Sequence, residues 1–272
     1  RYNGTKVVNV CPDYCEVTKD ADWWIHPKQA TDAALAMAVS HVIFKEFHYD
    51  HPDPYFTEYC RSLTDFPVLV MMEPREDGHF TAGRTVRACD LGYKAPECNN
   101  PEWKTVVWDE LSDKPAVAQG SMGYRWGQKE GQDLGKWNLH EVDGETGKAI
   151  KPQLTFLKDS DAVIDVDYPY FGGRKRDGFP NNPMNSEVMV RKVPVRKIQV
   201  EGKDVYVATV FDLFGSYLGV DRGLGGECAK SYADNIPFTP AWQEKITGVE
   251  AQYAITLGAF RDFRFVFSLD VV

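Results

Sequence analysis

The sequence predicts an α/β protein: an open, mostly parallel sheet with flanking helices, carrying a long irregular insertion with small antiparallel strands. Three observations predict it. Apolar runs and one amphipathic stretch alternate as strand, helix, strand over residues 6–72, the order that builds parallel sheets. The run FPVLVMM at residues 66–72 is apolar throughout, as expected of a strand covered on both faces. From about residue 92 to 202, Gly, Pro, Asn and Asp become frequent and the apolar runs shorten.

Taken in order, Lys6 to Val10 reads as a short buried strand ending in a turn at Cys11-Pro12-Asp13. Ala21 to Ile25 is a second strand-like piece, and Pro27 to Ala30 a loop. Thr31 and Asp32 open a helix to about Phe47, with Thr31 as N-cap and Asp32 favourable in the first turn. Ala33, Leu35, Ala36, Val39, Val42, Ile43 and Phe47 give it an apolar stripe. Pro54 to Leu63 reads as a second helix, and Asp77-Gly78 as a turn before a strand from Phe80. Trp103, Trp108, Trp126 and Trp137 anchor the insertion, since a structureless loop of that length is implausible. Lys192 to Val195, Ile198 to Val200 and Val205 to Val210 form a small antiparallel unit with Glu201-Gly202 at a turn. Thr239-Pro240 starts a final helix towards Gly258. The expected division is residues 1–91, an insertion at 92–202, a return to the body at 203–258 and an atypical tail at 259–272.

Composition narrows the function classes. Of 272 residues, 43% are hydrophobic, too many for a disordered chain. A net charge of -9 argues against a dedicated nucleic-acid binder, which needs clustered cations. No stretch reaches the roughly 18–20 apolar residues that span a bilayer. The opening Arg1-Tyr2-Asn3-Gly4-Thr5, without Met or a leader-like segment, suggests a fragment. Six cysteines at irregular spacing make a disulfide framework a weak reading; Cys11 and Cys15 are the one close pair, without the further ligands that a zinc or iron–sulfur site needs.

No strong catalytic motif is present. The sharpest local feature is the pair of strand ends feeding loops, at Pro12-Asp13 and at Lys28 to Asp32. In open α/β sheets ligands gather outside the carboxyl ends of strands. Asp13 and Asp32 are able to accept hydrogen bonds from a ribose or a guanine edge, and Lys28 to neutralise a phosphate beside the helix N-terminus. The same residues also read as a turn aspartate and ordinary capping. His41, His48 and His51 read as polar residues at a helix end. Gly120 to Gly127, with Arg125, reads as a tight aromatic turn or an approach to an anion, and Arg174-Lys175-Arg176 as a solvated loop.

Several blocks carry a family resemblance: PKQATDAALAMAVSHVIFKEFH (27–48), PYFTEYCRSLTDFPVLVMME (54–73), NNPEWKTV (99–106), MGYRWGQ (122–128), GKWNL (135–139), YPYFGG (168–173) and TPAWQEKITGV (239–249). With them the chain resembles an internal segment of the catalytic α subunit in the nitrate reductase and nitrite oxidoreductase branch of the dimethyl sulfoxide reductase family of molybdenum enzymes. The resemblance implies a large multidomain α/β molybdoenzyme around a bis(molybdopterin guanine dinucleotide) cofactor, with a 4Fe-4S cluster elsewhere in the subunit. It implies interconversion of nitrate and nitrite, an iron–sulfur β subunit, a haem-containing γ subunit, and membrane association through those partners, on the cytoplasmic or periplasmic side. It points to Asp32, Thr31, Asp13, Pro12, Lys28 and Gln29 as contacts of the guanine end of one pterin. The iron–sulfur motif and the aspartate ligand of molybdenum fall upstream of the matching segment, so no catalytic residue and no metal ligand is expected here. The chain departs from the pattern at Ala30, where the family has Gly, and after Gly258. A non-catalytic scaffold, or a chlorate, perchlorate or selenate reductase, are the competing readings.

Overall fold

The computed structural model describes residues 5–95, 98, 100–118, 142–170 and 187–259. Its strands and helices are, in chain order, β1 (Val8–Val10), β2 (Trp23–Ile25), α1 (Asp32–Phe44), α2 (Pro54–Leu63), β3 (Leu69–Pro74), β4 (Phe80–Thr85), β5 (Val106–Asp109), β6 (Lys114–Val117), β7 (Ala162–Tyr170), β8 (Glu187–Val200), β9 (Lys203–Thr209), α3 (Val210–Tyr217), α4 (Pro240–Thr247) and α5 (Ala251–Ala259). The protein is α/β, in two compact units: residues up to 51 together with those from 229 onward, and residues 52–228.

In the first unit β1 and β2 pair in parallel, Val8 opposite Trp23 and Val10 opposite Ile25. Ile25, Leu35, Ala38, Val249 and Ala254 form the core that binds this pair to α1, to α5 and to the connection before α5. The predicted helix from residue 31 exists, but it is α-helical only to Phe44 and continues as a π-helical turn over Lys45–Asp50. Its buried face includes Ala34, Ala38 and His41, while Ala33 and Ala36 face solvent. His41 is fully buried, edge-on to Tyr232 at 6.1 Å, not a surface residue at a helix end. The single helix expected from Thr239 to Gly258 is two. Thr239 Oγ1 accepts from the Trp242 amide at 3.2 Å, as its N-cap role predicts. Gly248 then ends α4 at φ 76, a left-handed cap that glycine adopts without strain.

In the second unit five strands close a barrel in the order β3-β4-β7-β8-β9. β3 lies antiparallel to β4 and to β9, β7 to β8, and β8 to β9. Glu201 (φ 50) and Gly202 (φ 77) turn β8 into β9, the doubly left-handed geometry of tight hairpins. Leu69, Val86, Val106, Trp108, Phe156, Ile198 and Val207 form one core cluster.

This architecture corrects the expected open, mostly parallel sheet. Parallel pairing among the described residues is confined to β1 with β2 and to β4 with β7 at Phe80 and Val166. β3, expected beside the first strands, pairs antiparallel within the barrel. A continuous apolar run signals burial on both faces, and a strand in a closed, covered barrel satisfies that as well as one in a parallel sheet. Gly120 to Gly127, Trp126, Trp137, Arg174 to Arg176 and the tail from residue 260 lie outside the described residues.

Candidate functional site

Because β1 and β2 run parallel and in register, their carboxyl ends fall on the same edge. The Cys11 amide donates to the Ile25 carbonyl at 3.1 Å and ties the two strand ends together. From that edge leave two connections. One carries Pro12 and Asp13; the other carries Lys28, Gln29, Ala30 and Thr31 into α1, which begins at Asp32. The topology thus sends all six sequence-predicted residues out from one edge.

The second connection is held by its backbone. The Lys28 amide donates to the Thr247 carbonyl at 2.9 Å, and the Thr31 amide to the Lys28 carbonyl at 3.2 Å. Pro27 is buried, whereas Lys28, Gln29 and Ala30 are exposed. The Lys28 stem lies over Gly248, where an added Cβ would stand 3.4 Å from Lys28 Cε. Ala30 sits at φ 59, in the left-handed region where a Cβ costs roughly 1–2 kcal/mol. The family resemblance marked this position, where the family has the glycine that such a backbone prefers.

Thr31 occupies the N-cap position, but its hydroxyl does not cap the helix. It donates instead to the Lys28 carbonyl at 2.5 Å. The first turn of α1 therefore keeps its amides without a side-chain cap, and those amides carry the positive end of the helix dipole. Asp13 and Asp32 are exposed. Among the described residues, the side chains of Asp13, Lys28, Gln29 and Asp32 form no hydrogen bond or ion pair. Such a set offers two acceptor carboxylates, one cation and free helix amides to a ligand bearing both donors and anionic oxygens.

Two further groups bring together residues that the sequence reading left apart. Asn9, Cys11, Cys15 and Thr18 meet at the root of the first connection, signalled only by the Cys-x3-Cys spacing. Asp77, His79 and Asp167 bring ligand atoms within 4.8 Å of one another in the second unit. There Arg75 already neutralises the carboxylates, at 3.3 Å from Asp167 and 3.6 Å from Asp77. His79 Nδ1 lies 2.8 Å from Asp167, and that hydrogen bond raises the imidazole pKa. The cluster reads as an ion-pair network bracing the β3–β4 turn against β7.

No family model matches the chain. Its relatives among curated proteins are large. It is 47% identical to the respiratory nitrate reductase 2 alpha chain of Escherichia coli (strain K12) over 259 residues, covering 94% of this chain and 20% of that one. It is 42% identical to the nitrate reductase alpha chain of Bacillus subtilis (strain 168), over 94% of this chain and 19% of that one. The perchlorate reductase subunit alpha of Dechloromonas aromatica (strain RCB) is 32% identical over 92% of this chain and 20% of that one. The chain thus spans about a fifth of the length of the curated relatives it matches.

Proposed function

We propose that this chain, a homologue over 94% of its length of one stretch of nitrate reductase alpha chains, is the part of a molybdenum oxidoreductase catalytic subunit that holds the guanine end of a molybdopterin guanine dinucleotide. The single observation that carries this reading is the connection from Lys28 to Asp32, with its strained Ala30, its turned-away Thr31 hydroxyl and its unpaired Asp32.

The residues fit that group. Asp32, with Asp13 on the neighbouring connection, supplies the acceptors that a guanine N1–H and exocyclic amine need. Lys28 and the uncapped amides of α1 suit a pyrophosphate. Thr31 fixes the Lys28 carbonyl and so shapes the turn, while Pro12 and Gln29 flank the two carboxylates. When bound, the molybdenum centre supplies oxygen-atom transfer between nitrate and nitrite; this chain's residues bind and orient the cofactor. No residue of the chain is assigned a catalytic or metal-ligating role.

In the same reading the complete subunit carries a second pterin and a 4Fe-4S cluster, and passes electrons to an iron–sulfur β subunit and a haem-containing γ subunit. Membrane attachment runs through those partners; among the described residues no helix is long and apolar enough to cross a bilayer. The nitrate reductase chains match at higher identity than the perchlorate reductase subunit, which favours nitrate and nitrite over perchlorate.

The test uses the complete protein carrying this chain. Asp32→Ala and the conservative Asp32→Asn are purified, and guanine nucleotide released by acid hydrolysis and molybdenum are measured per polypeptide. Both should fall at least about tenfold, the cost of one charge-assisted hydrogen-bonded acceptor. Parental nucleotide content in both variants would refute the placement of the guanine end at Asp32.

A further inference from the structure

The turn after β1 carries a chemistry independent of nucleotide binding. Cys11 and Cys15 bring their sulfur atoms to 3.7 Å, Cys15 exposed and Cys11 half-buried. Asn9 stands between them, its Nδ2 3.8 Å from Cys11 Sγ and 3.6 Å from Cys15 Sγ, while also donating to Thr18 Oγ1 at 2.7 Å. The buried Thr18 hydroxyl lies 3.4 Å from Cys15 Sγ. Hydrogen bonds from Thr18, then Asn9, then Cys11 favour the thiolate and lower the Cys15 pKa to about 7. Burial pushes Cys60 the other way, to about 11. The single Cys11 S–H also has the Asp13 carbonyl oxygen within reach, 2.6 Å from Sγ, so it serves either that oxygen or Cys15 Sγ.

We propose that Cys11 and Cys15 form a thiol–disulfide exchange site that reacts with low-molecular-weight disulfides of the glutathione type and closes an intramolecular disulfide. Cys15 is the attacking sulfur, being the exposed one with thiolate-stabilising donors around it. Its thiolate forms a bond to one sulfur of the incoming disulfide; the disulfide bond breaks and the other half leaves as a thiolate that takes up a proton. Cys11 then gives its proton to solvent and attacks Cys15 Sγ, expelling the second half as a thiol. One disulfide and two protein thiols become one protein disulfide and two small thiols, so atoms and electrons balance.

Two features make the second step fast. The resolving sulfur is already 3.7 Å away, so it acts at a high effective concentration. The sulfurs must close to about 2.05 Å, a movement of under about 2 Å within a five-residue exposed turn. Oxidation consumes the Cys11 S–H and with it the hydrogen bond within reach of the Asp13 carbonyl. An effect on nucleotide binding through Asp13 rests on the function proposed above; the exchange reaction does not.

Trypsin releases both cysteines in one peptide, Val7–Lys19, because no Lys or Arg lies between Lys6 and Lys19. The reduced complete protein is incubated with oxidised glutathione, acid-quenched, alkylated and digested, and that peptide is weighed. The parent should lose both alkylation sites and two hydrogens. Cys11→Ser should accumulate a glutathione adduct at Cys15, and Cys15→Ser should react at least about tenfold more slowly. A parent peptide that stays fully alkylated, a glutathione adduct that persists in the parent, or Cys15→Ser reacting at the parental rate would overturn the proposal.

Discussion

Arg222→Met should destabilise the second unit strongly, and more so as pH rises. Asp212 is fully buried and the Arg222 side chain is 2% exposed, their atoms 2.8 Å apart. Asp212 also accepts from Thr155 Oγ1 at 2.7 Å and from the Phe156 amide at 2.8 Å. Removing the guanidinium strands a carboxylate with two neutral donors in a site closed to water. Breaking one side of such a pair costs about 3–5 kcal/mol. Burial raises the Asp212 carboxyl above its ordinary range, and Arg222 is the largest influence holding it down. Without Arg222 the folded-state value climbs further. A carboxyl whose folded value exceeds its unfolded one, near ~3.9, binds its proton more tightly when folded. Its contribution is therefore present at low pH and lost as pH rises from the unfolded value through the folded one. Urea titrations of parent and variant in acid and at neutral pH measure the deficit, with hydrogen exchange at the Phe156 amide as a local check. Adding Asp212→Asn should recover at least about half of it. A deficit under about 1 kcal/mol, or one that shrinks with rising pH, would refute the reasoning.

Gly258→Ala tests the seat of α1. A Cβ there would stand 2.5 Å from Val42 Cβ and 3.0 Å from the Val39 carbonyl oxygen, so α1 and α5 must part. A loss of about 1–3 kcal/mol is expected in thermal unfolding, partly restored by Val42→Ala; an unchanged midpoint would count against this packing. His79→Gln tests the ion-pair network beside β7. The Asp167 hydrogen bond raises the His79 pKa above its ordinary 6.5, so the stability it adds is complete below that value and fades as pH rises through the raised one. A pH series comparing the two proteins should converge at alkaline pH, and a gap that widens there would sink the assignment.

What was legible in the sequence was local. Pro54 to Leu63 was read as a helix and is α2, with Asp53 Oδ1 accepting from the Tyr55 amide at 2.7 Å. Thr239 and Pro240 announced the start of α4, and Asp77-Gly78 and Glu201-Gly202 announced turns, because those residue types act on their own backbone. The barrel was not legible. Its closure depends on β3 meeting β9, with Leu69 opposite Thr209, and a burial pattern carries no record of which strand supplies the partner. The buried Asp212–Arg222 pair was equally invisible, since nothing in VFDLFG or in an arginine beside glycines records that the fold encloses the two together.

The edge proposed to hold the nucleotide has short-range features, two of which depart from what a self-sufficient helix start would show. A helix beginning for its own stability would avoid a Cβ at φ 59, where Ala30 sits, and would turn the Thr31 hydroxyl onto its first amides. Here the alanine is strained, the hydroxyl is bonded backwards to Lys28, and the carboxylate stands unpaired in solvent. The strained alanine and the lost cap each cost stability, the cap about 1 kcal/mol, while Asp32 in the first turn stays open to a ligand. Two such costs in adjacent residues, at the edge where parallel strands end, support the proposed ligand-binding turn, in which a bound group would supply partners for the uncapped amides. If the proposal holds, loss of Asp32 should empty the site while leaving α1 folded, because its side chain is exposed to solvent.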